Sequence, residues 1–320
     1  MSEMKTKATR DGYGDALVEM GAQDERIVVL GADLTDSTRA IWFAQKYPDR
    51  FFDFGIAEQN MLNAAAGLSL VGKIPWVSTY GVFVAGRAWD QIRTTTCYSN
   101  LNVKIGGAHG GISVGPDGAT HQALEDVAAM RILPNMTVIV PADYYETRKA
   151  VIWACKHVGP VYVRFGREPV PIVTKPEDPF IMGKANLIND GSDVTIINNG
   201  PVLWEAMKAV QVLREKGISA RLLNIHTVKP IDREAIAKAA RETGAIVTVE
   251  EHQVMGGFGS AVAEAVVQTH PVLMRFIGIQ DRFGESGTPE ELFEEFGLTA
   301  RHIVAAVEDV LKAKKALENS

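Results

Sequence analysis

Between residues 9 and 166, short apolar runs alternate with amphipathic stretches, the pattern of a mostly parallel sheet covered by helices on both faces. The runs predict strands at 27–32, 51–55, 76–80, 103–106, 137–140 and 161–165, with helices at 14–20, 37–46, 57–70, 83–96, 121–131 and 144–157. Pro169, Pro171, Pro176 and Pro179 then crowd EPVPIVTKPEDPF, where missing amide donors and fixed φ angles predict an extended strap without regular structure. The alternation resumes with strands at 194–197, 220–225, 246–249 and 273–277 and helices at 203–216, 232–242 and 259–268. Thr288, Pro289 and Glu291 supply the cap, the first-position proline and the capping-box acid of another helix, and 299–317 reads as a closing amphipathic helix. The expected architecture is α/β: two consecutive open, mostly parallel-sheet domains, 1–167 and 191–320, joined by a proline-rich linker at 168–190.

At 320 residues the chain has room for two such domains, and its 46% hydrophobic and 22% charged content is that of an ordinary folded protein. A formal net charge of −6, with both signs interspersed, argues against a nucleic-acid or anionic-membrane surface. An anionic substrate would therefore be met by a few local cations. Two isolated cysteines, Cys97 and Cys155, make neither a disulfide framework nor a thiolate metal site and read as small packed side chains in a reducing cytoplasm. The opening MSEMKTKATRDGYG lacks the apolar core of a signal peptide, and no apolar run reaches about 18 residues, so a soluble, cytoplasmic protein is expected.

Candidate chemistry collects in two stretches. In FGIAEQNM (54–61), Glu58 falls at the turn from strand to helix, where open α/β sheets place their sites; by itself it reads first as an acid favoured by the helix start. GGAHGGISVGPDGATHQ (106–122) is rich in glycines that cost backbone entropy in regular structure and so mark a loop closely approached by something else. His109, Asp117 and His121 lie among them. The loop lacks the Lys-Ser/Thr ending of a phosphate loop, and neither it nor MGGFGSA (255–261) has dinucleotide spacing. Its histidines also lack metal-site spacing.

FGIAEQNM, STYGVF (78–83), AHGGISVGPDGATHQ (108–122), LPNMTVIVPAD (133–143) and PVYVRFGR (160–167) follow in an order that resembles the pyrimidine-binding domain of transketolases. The part after the linker is similar to their C-terminal domain, so the resemblance covers essentially the whole chain. It implies thiamine diphosphate as cofactor. Glu58 would hydrogen-bond the pyrimidine nitrogen para to the amino-bearing carbon, so that the cofactor's own imino group removes the thiazolium proton. A dry site is then expected for Glu58, its pKa raised by burial among Phe54, Ile56 and Met61 against the pull of the helix start. Tyr80 and Phe83 match aromatic residues that hold the aminopyrimidine, with Gly86 standing where some members carry a third ring. Asp33 matches an acid that reaches the cofactor across a dimer interface. Ser37, His109 and Arg167 match ligands of a substrate phosphate, Asp117 the residue that bonds a substrate hydroxyl, and His121 a histidine near the substrate channel. Without the resemblance, Tyr80 and Phe83 read as core packing, Asp33 and Ser37 as helix caps, and Arg167 as a surface arginine.

Transketolases also have a preceding domain that holds the diphosphate through magnesium, using Gly-Asp-Gly and a later asparagine. That element is not found here: Asp117 belongs to the other loop, and Asn189-Asp190-Gly191 follows no apolar strand. The resemblance therefore implies the C-terminal subunit of a split transketolase, with no metal ligand of its own and with magnesium and diphosphate held by a separate N-terminal subunit. A two-fold dimer joined to two partners, an α2β2 heterotetramer, is expected. The implied reaction moves a two-carbon ketol unit from a ketose phosphate to an aldose phosphate. Deoxyxylulose-phosphate synthases share a similar G-I-A-E-Q run but carry Asp-Arg near the His109 position. Beta subunits of 2-oxo-acid dehydrogenases have the same two domains, with a glycine loop richer in aromatic and serine residues. The joint presence of Glu58, His109, Asp117 and Arg167 speaks against a non-catalytic partner-binding paralogue. The sugar stays open among xylulose 5-phosphate, a branched ketose phosphate and a sulfonated analogue.

Overall fold

The computed structural model describes residues 5–319, and every count or absence below is of those residues. Fourteen strands sort into three sheets: β1 (Thr6–Ala8), β2 (Ile27–Gly31), β3 (Phe51–Asp53), β4 (Ile74–Tyr80), β5 (Lys104–Ala108), β6 (Thr137–Ile139), β7 (Val161–Arg164), β8 (Pro169–Pro171), β9 (Asn186–Asn189), β10 (Val194–Asn198), β11 (Ala220–Asn224), β12 (Thr227–Lys229), β13 (Ala245–Gln253) and β14 (Leu273–Ile279). The first domain's sheet runs β12-β6-β7-β5-β4-β2-β3 and is parallel except for β12. Its central strands are buried along their whole length, which is why IVVLG can be apolar at every position. One face packs on α1 (Thr9–Gln23), α2 (Ala40–Lys46) and α6 (Tyr144–Lys156); the other packs on α3 (Glu58–Leu70), α4 (Gly81–Arg87) and α5 (Asp126–Arg131).

The second sheet, β14-β13-β10-β11-β9, is parallel except for its edge strand β9. It is covered by α7 (Leu203–Glu215), α10 (Pro289–Glu295) and α11 (Ala300–Glu318) on one face and by α8 (Arg233–Thr243) and α9 (Phe258–Thr269) on the other. α8 and α9 lie at the seam, for a single core cluster runs from Leu62 and Val77 through Val138 and Val228 to Ile236 and Phe258. The two domains thus share apolar packing. No helix is long and apolar enough to cross a membrane among the described residues.

Several expectations are corrected. The stretch read as an irregular strap contains β8, which pairs antiparallel with β1; an edge pairing tolerates prolines at positions 169 and 171. The linker bounds 168–190 also take in β9, so the second sheet begins before residue 191. β12 leaves the second domain in sequence but extends the first domain's sheet. The helix expected over 37–46 starts only at Ala40, after Arg39 in left-handed conformation (φ 66°), so Ser37 is not its cap. The helix expected over 83–96 breaks into α4 and a π-helical turn, Gln91–Cys97, whose threonine run resists regular α geometry. The one expected from 121 begins at Asp126, leaving His121 in a turn closed by its amide on the Gly118 carbonyl at 3.0 Å. The capping box at Thr288 is formed as expected.

Sheet order sets the place of the site. The chain goes from β2 outward to β3, then crosses back to β4 on the other side of β2, and such a reversal opens a crevice outside the carboxyl ends of the strands.

Candidate active site

Asp53, at the end of β3, fastens the crevice rim. Its carboxylate accepts hydrogen bonds from the Asp33 amide at 3.1 Å, the Gly55 amide at 2.8 Å and the Thr35 hydroxyl at 2.9 Å. Gly55 makes the turn with φ 65°, and α3 starts at Glu58 three residues later. Despite its place in a first helical turn, Glu58 is only 3% exposed. Its carboxylate accepts from Arg87 Nη1 at 3.0 Å, and the same guanidinium lies 4.3 Å over the Phe83 ring. The apolar surround expected for Glu58 is therefore corrected in part. Met61 is buried and Phe54 half-buried, but Ile56 is 74% exposed and a cation completes the environment.

β4 and β5 bring four rings together. Tyr80 stacks on His109 with centroids 3.9 Å apart and lies nearly parallel to Phe83 at 5.6 Å. His121 stands edge-on to both, at 6.0 Å from Tyr80 and 5.3 Å from Phe83. His109 sits at φ 54° in a backbone that only closely approached glycines allow. A Cβ on Gly107 would fall 2.1 Å from the Tyr162 hydroxyl, and one on Gly110 would fall 2.5 Å from Arg164 Nε. The His109 ring is buried and its Nδ1 has no protein partner. Burial first, then the charges of Arg10, Arg167, His121 and Arg39, push its pKa down to about 3, so the imidazole is neutral near pH 7. A buried ring nitrogen without a partner is a place for a ligand atom.

Those arginines form a cationic rim. Arg10, in the first turn of α1, donates Nη1 to the Ser37 carbonyl at 3.0 Å, while its Nε is buried without a protein partner. Its pKa is lowered, by burial first and then by the neighbouring Arg39 charge. Arg39 donates to Asp11 at 2.8 Å, and Arg167 donates to Asp117 at 2.9 Å with Glu168 also in reach. Ser37 enters through its carbonyl, and the exposed Asp33 holds φ 59° at the end of β2. The candidate site residues lie at strand ends, on loops or in helix starts at this end of the sheet. Arg10, Arg39 and Arg87 were not singled out. α1 was expected to begin at 14, which left Arg10 outside it, when in fact Thr9 opens the helix and its hydroxyl accepts from the Gly166 amide at 2.7 Å.

Residues 5–172 match the family model of the transketolase pyrimidine-binding domain, and residues 183–303 match that of the transketolase C-terminal domain. The chain is 44% identical to a 6-deoxy-6-sulfo-D-fructose transketolase subunit of a Clostridium species, covering 95% of each chain. It is 41% identical to an apulose-4-phosphate transketolase subunit of Phocaeicola vulgatus, covering 95% of this chain and 98% of that one. A solved structure described as a split gene transketolase, inactive beta4 tetramer, superimposes with a TM-score of 0.89 at 50% identity, covering 95% of this chain and 98% of that one. With both domains matched in order and relatives aligned over nearly their full length, the chain belongs to the thiamine diphosphate-dependent transketolase family, as its pyrimidine-binding and C-terminal domains.

Proposed function

We propose that this chain is the C-terminal subunit of a split transketolase. With a separate N-terminal subunit and thiamine diphosphate, it moves a two-carbon ketol unit from a ketose phosphate, or an analogue bearing another anionic group, to an aldose phosphate. One observation carries the reading: buried Glu58, a wall of Tyr80, Phe83, His109 and His121, and the guanidinium groups of Arg10, Arg39 and Arg167 converge on one rim. Relatives named as subunits, and a structure described as split gene, support the two-chain assembly. Magnesium and the diphosphate fall to the N-terminal subunit, and the α2β2 assembly places Asp33 to reach the cofactor across an interface.

The residues present fit the pyrimidine half of the cofactor: a buried carboxyl, Glu58, and a flat aromatic face, Tyr80 and Phe83, are linked through Arg87. When bound, thiamine diphosphate supplies the carbon nucleophile that accepts the ketol unit. Glu58 shares a proton with the pyrimidine ring nitrogen, and Arg87 orients the Glu58 carboxyl and covers one side of Phe83. Phe83 and Tyr80 hold the flat ring and keep water away from it. His109, neutral, offers an uncharged ring nitrogen to the substrate. Arg10 and Arg167 give charge-assisted bonds to the anionic end of the donor. Asp117, steadied by Arg167, accepts from a substrate hydroxyl, and His121, bonded to the Thr120 hydroxyl at 2.9 Å, borders the approach.

The test is co-expression with an N-terminal-type subunit and a ketol-transfer assay with xylulose 5-phosphate, a branched ketose phosphate and a sulfonated ketose. Activity is expected only from the complex with cofactor and magnesium, and Glu58→Gln is expected to lower kcat by at least about a hundredfold. Near-normal turnover by Glu58→Gln, or full activity from the lone chain, would overturn the proposal.

A further inference from the structure

The second domain reaches the His109 turn of this site through a buried acid. β13 brings Glu250, Glu251 and His252 to the seam between the domains, where they are 1%, 2% and 2% exposed. Glu251 Oε1 accepts from the Ser113 amide at 2.6 Å, and a Cβ on Gly111 would stand 2.2 Å from that same oxygen. Gly111 has φ 99°, so the backbone can lie against the carboxylate only because no side chain is there. Arg164 lies under the neighbouring Gly110 and is fixed in turn. Its Nε donates to Asp126 Oδ2 at 2.9 Å, and its Nη2 donates to the Ala123 carbonyl at 2.7 Å and to the Glu251 backbone carbonyl at 3.0 Å. The turn carrying His109 is therefore seated on a buried guanidinium and a buried carboxyl, and the carboxyl belongs to the other domain. A second tie holds the far end of the loop, where Gln122 Nε2 donates to the Glu285 carbonyl at 2.8 Å.

We infer that Glu251 is a positioning residue that holds the 109–113 turn of the glycine loop, and through it the His109 imidazole, in the arrangement that meets substrate. His109 precedes Gly111 by two residues, so the ring direction follows from the backbone that Glu251 and Arg164 clamp. Its effect on turnover rests on the reading of His109 as a substrate ligand. The clamp itself does not.

The experiment has two arms. In the first, hydrogen exchange is measured on the purified chain for peptides covering 106–122 and, as reference, β4 and β7. Exchange in the loop is expected to rise by at least about tenfold in Glu251→Ala and by no more than about threefold in Glu251→Gln, which keeps an acceptor oxygen for the Ser113 amide, while the reference strands hold their protection. Unchanged exchange in the loop of whichever variant folds, or an equal rise in the reference strands, would overturn the inference. In the second arm, the variants are assayed in the active complex, and the loss in kcat/KM for a phosphorylated donor is expected mainly in KM; a loss confined to kcat would overturn the link to His109. Absence of ketol transfer by the unmodified complex would remove the proposed function while leaving the exchange result to decide the clamp.

Discussion

Arg167 touches Asp117 and Glu168, and Arg10 touches only a backbone carbonyl, yet both project charge onto the same histidine ring. Arg39 and Arg167 are offset by Asp11 and by Asp117 and Glu168, whereas the Arg10 guanidinium has no carboxylate in hydrogen-bond reach and keeps a buried Nε without a protein partner, so an arriving anion gains most there. A hydrogen bond between charged partners is worth about 1.5–3 kcal/mol, so Arg167→Ala is expected to raise the apparent KM by about tenfold or more for phosphorylated donors. The same change should raise KM for unphosphorylated donors by clearly less, about threefold at most, through the loosened Asp117 alone. Parallel kinetics on a donor and its dephosphorylated form check this, and equal effects on the two would assign Arg167 to structure. At this scale Glu58, His109, Asp117 and Arg167 were picked out through the local runs that carry the family resemblance, and the structure brings them to one end of the sheet. Arg10, Arg87 and Glu251 were not, for nothing beside them in sequence tells which distant strand end they face.

Among the elements, α6 shows how a helix start can also carry a tertiary joint. Asp143 caps it by accepting from the Glu146 amide at 3.0 Å, and the same carboxylate accepts from the Val173 amide at 2.8 Å, the Thr174 amide at 2.5 Å and the Thr174 hydroxyl at 2.7 Å. One side chain thus ends a helix and ties down the strap between the domains. Asp143→Ala removes the cap and strands buried amides, and is expected to lower stability by about 2–4 kcal/mol, read by urea denaturation. A loss below about 1 kcal/mol, the worth of a cap alone, would show that the strap does not depend on it. Local signals were dependable where the element's neighbours in sequence decide it, as at the capping box of α10. They failed at α1 and α5, whose first turns bond to distant segments through Thr9 and Asp126, and at α2, whose start is delayed by the turn at Thr35–Arg39.

Across the whole molecule the seam between the domains is polar as well as apolar. Glu146, on α6, accepts from Asn224 of β11 at 3.0 Å and from Asn186 of β9 at 3.3 Å, and burial pushes its pKa up to about 7 against its amide bonds. The folded state therefore keeps a proton that the unfolded chain has released above pH 4.5, so this group's contribution to stability is present below that pH and is lost as pH rises toward 7. Glu146→Gln does not titrate. Whatever its offset, its stability relative to the unmodified chain is expected to improve by about 2–3 kcal/mol between pH 4.5 and 7, measured by urea unfolding at each pH. A difference constant with pH would refute the assignment. The amino-acid sequence by itself determined the alternation of strands and helices, both mostly parallel sheets and the motif residues of the rim, because apolar period and glycine content are local properties that burial and backbone strain enforce wherever the chain goes. Only the tertiary structure decided that β12 joins the other domain's sheet, that β9 opens the second sheet early, and that Glu251 sits beneath the His109 turn. Those are pairings between residues far apart in the chain, fixed by which buried donors and acceptors can satisfy one another once the sheets have packed.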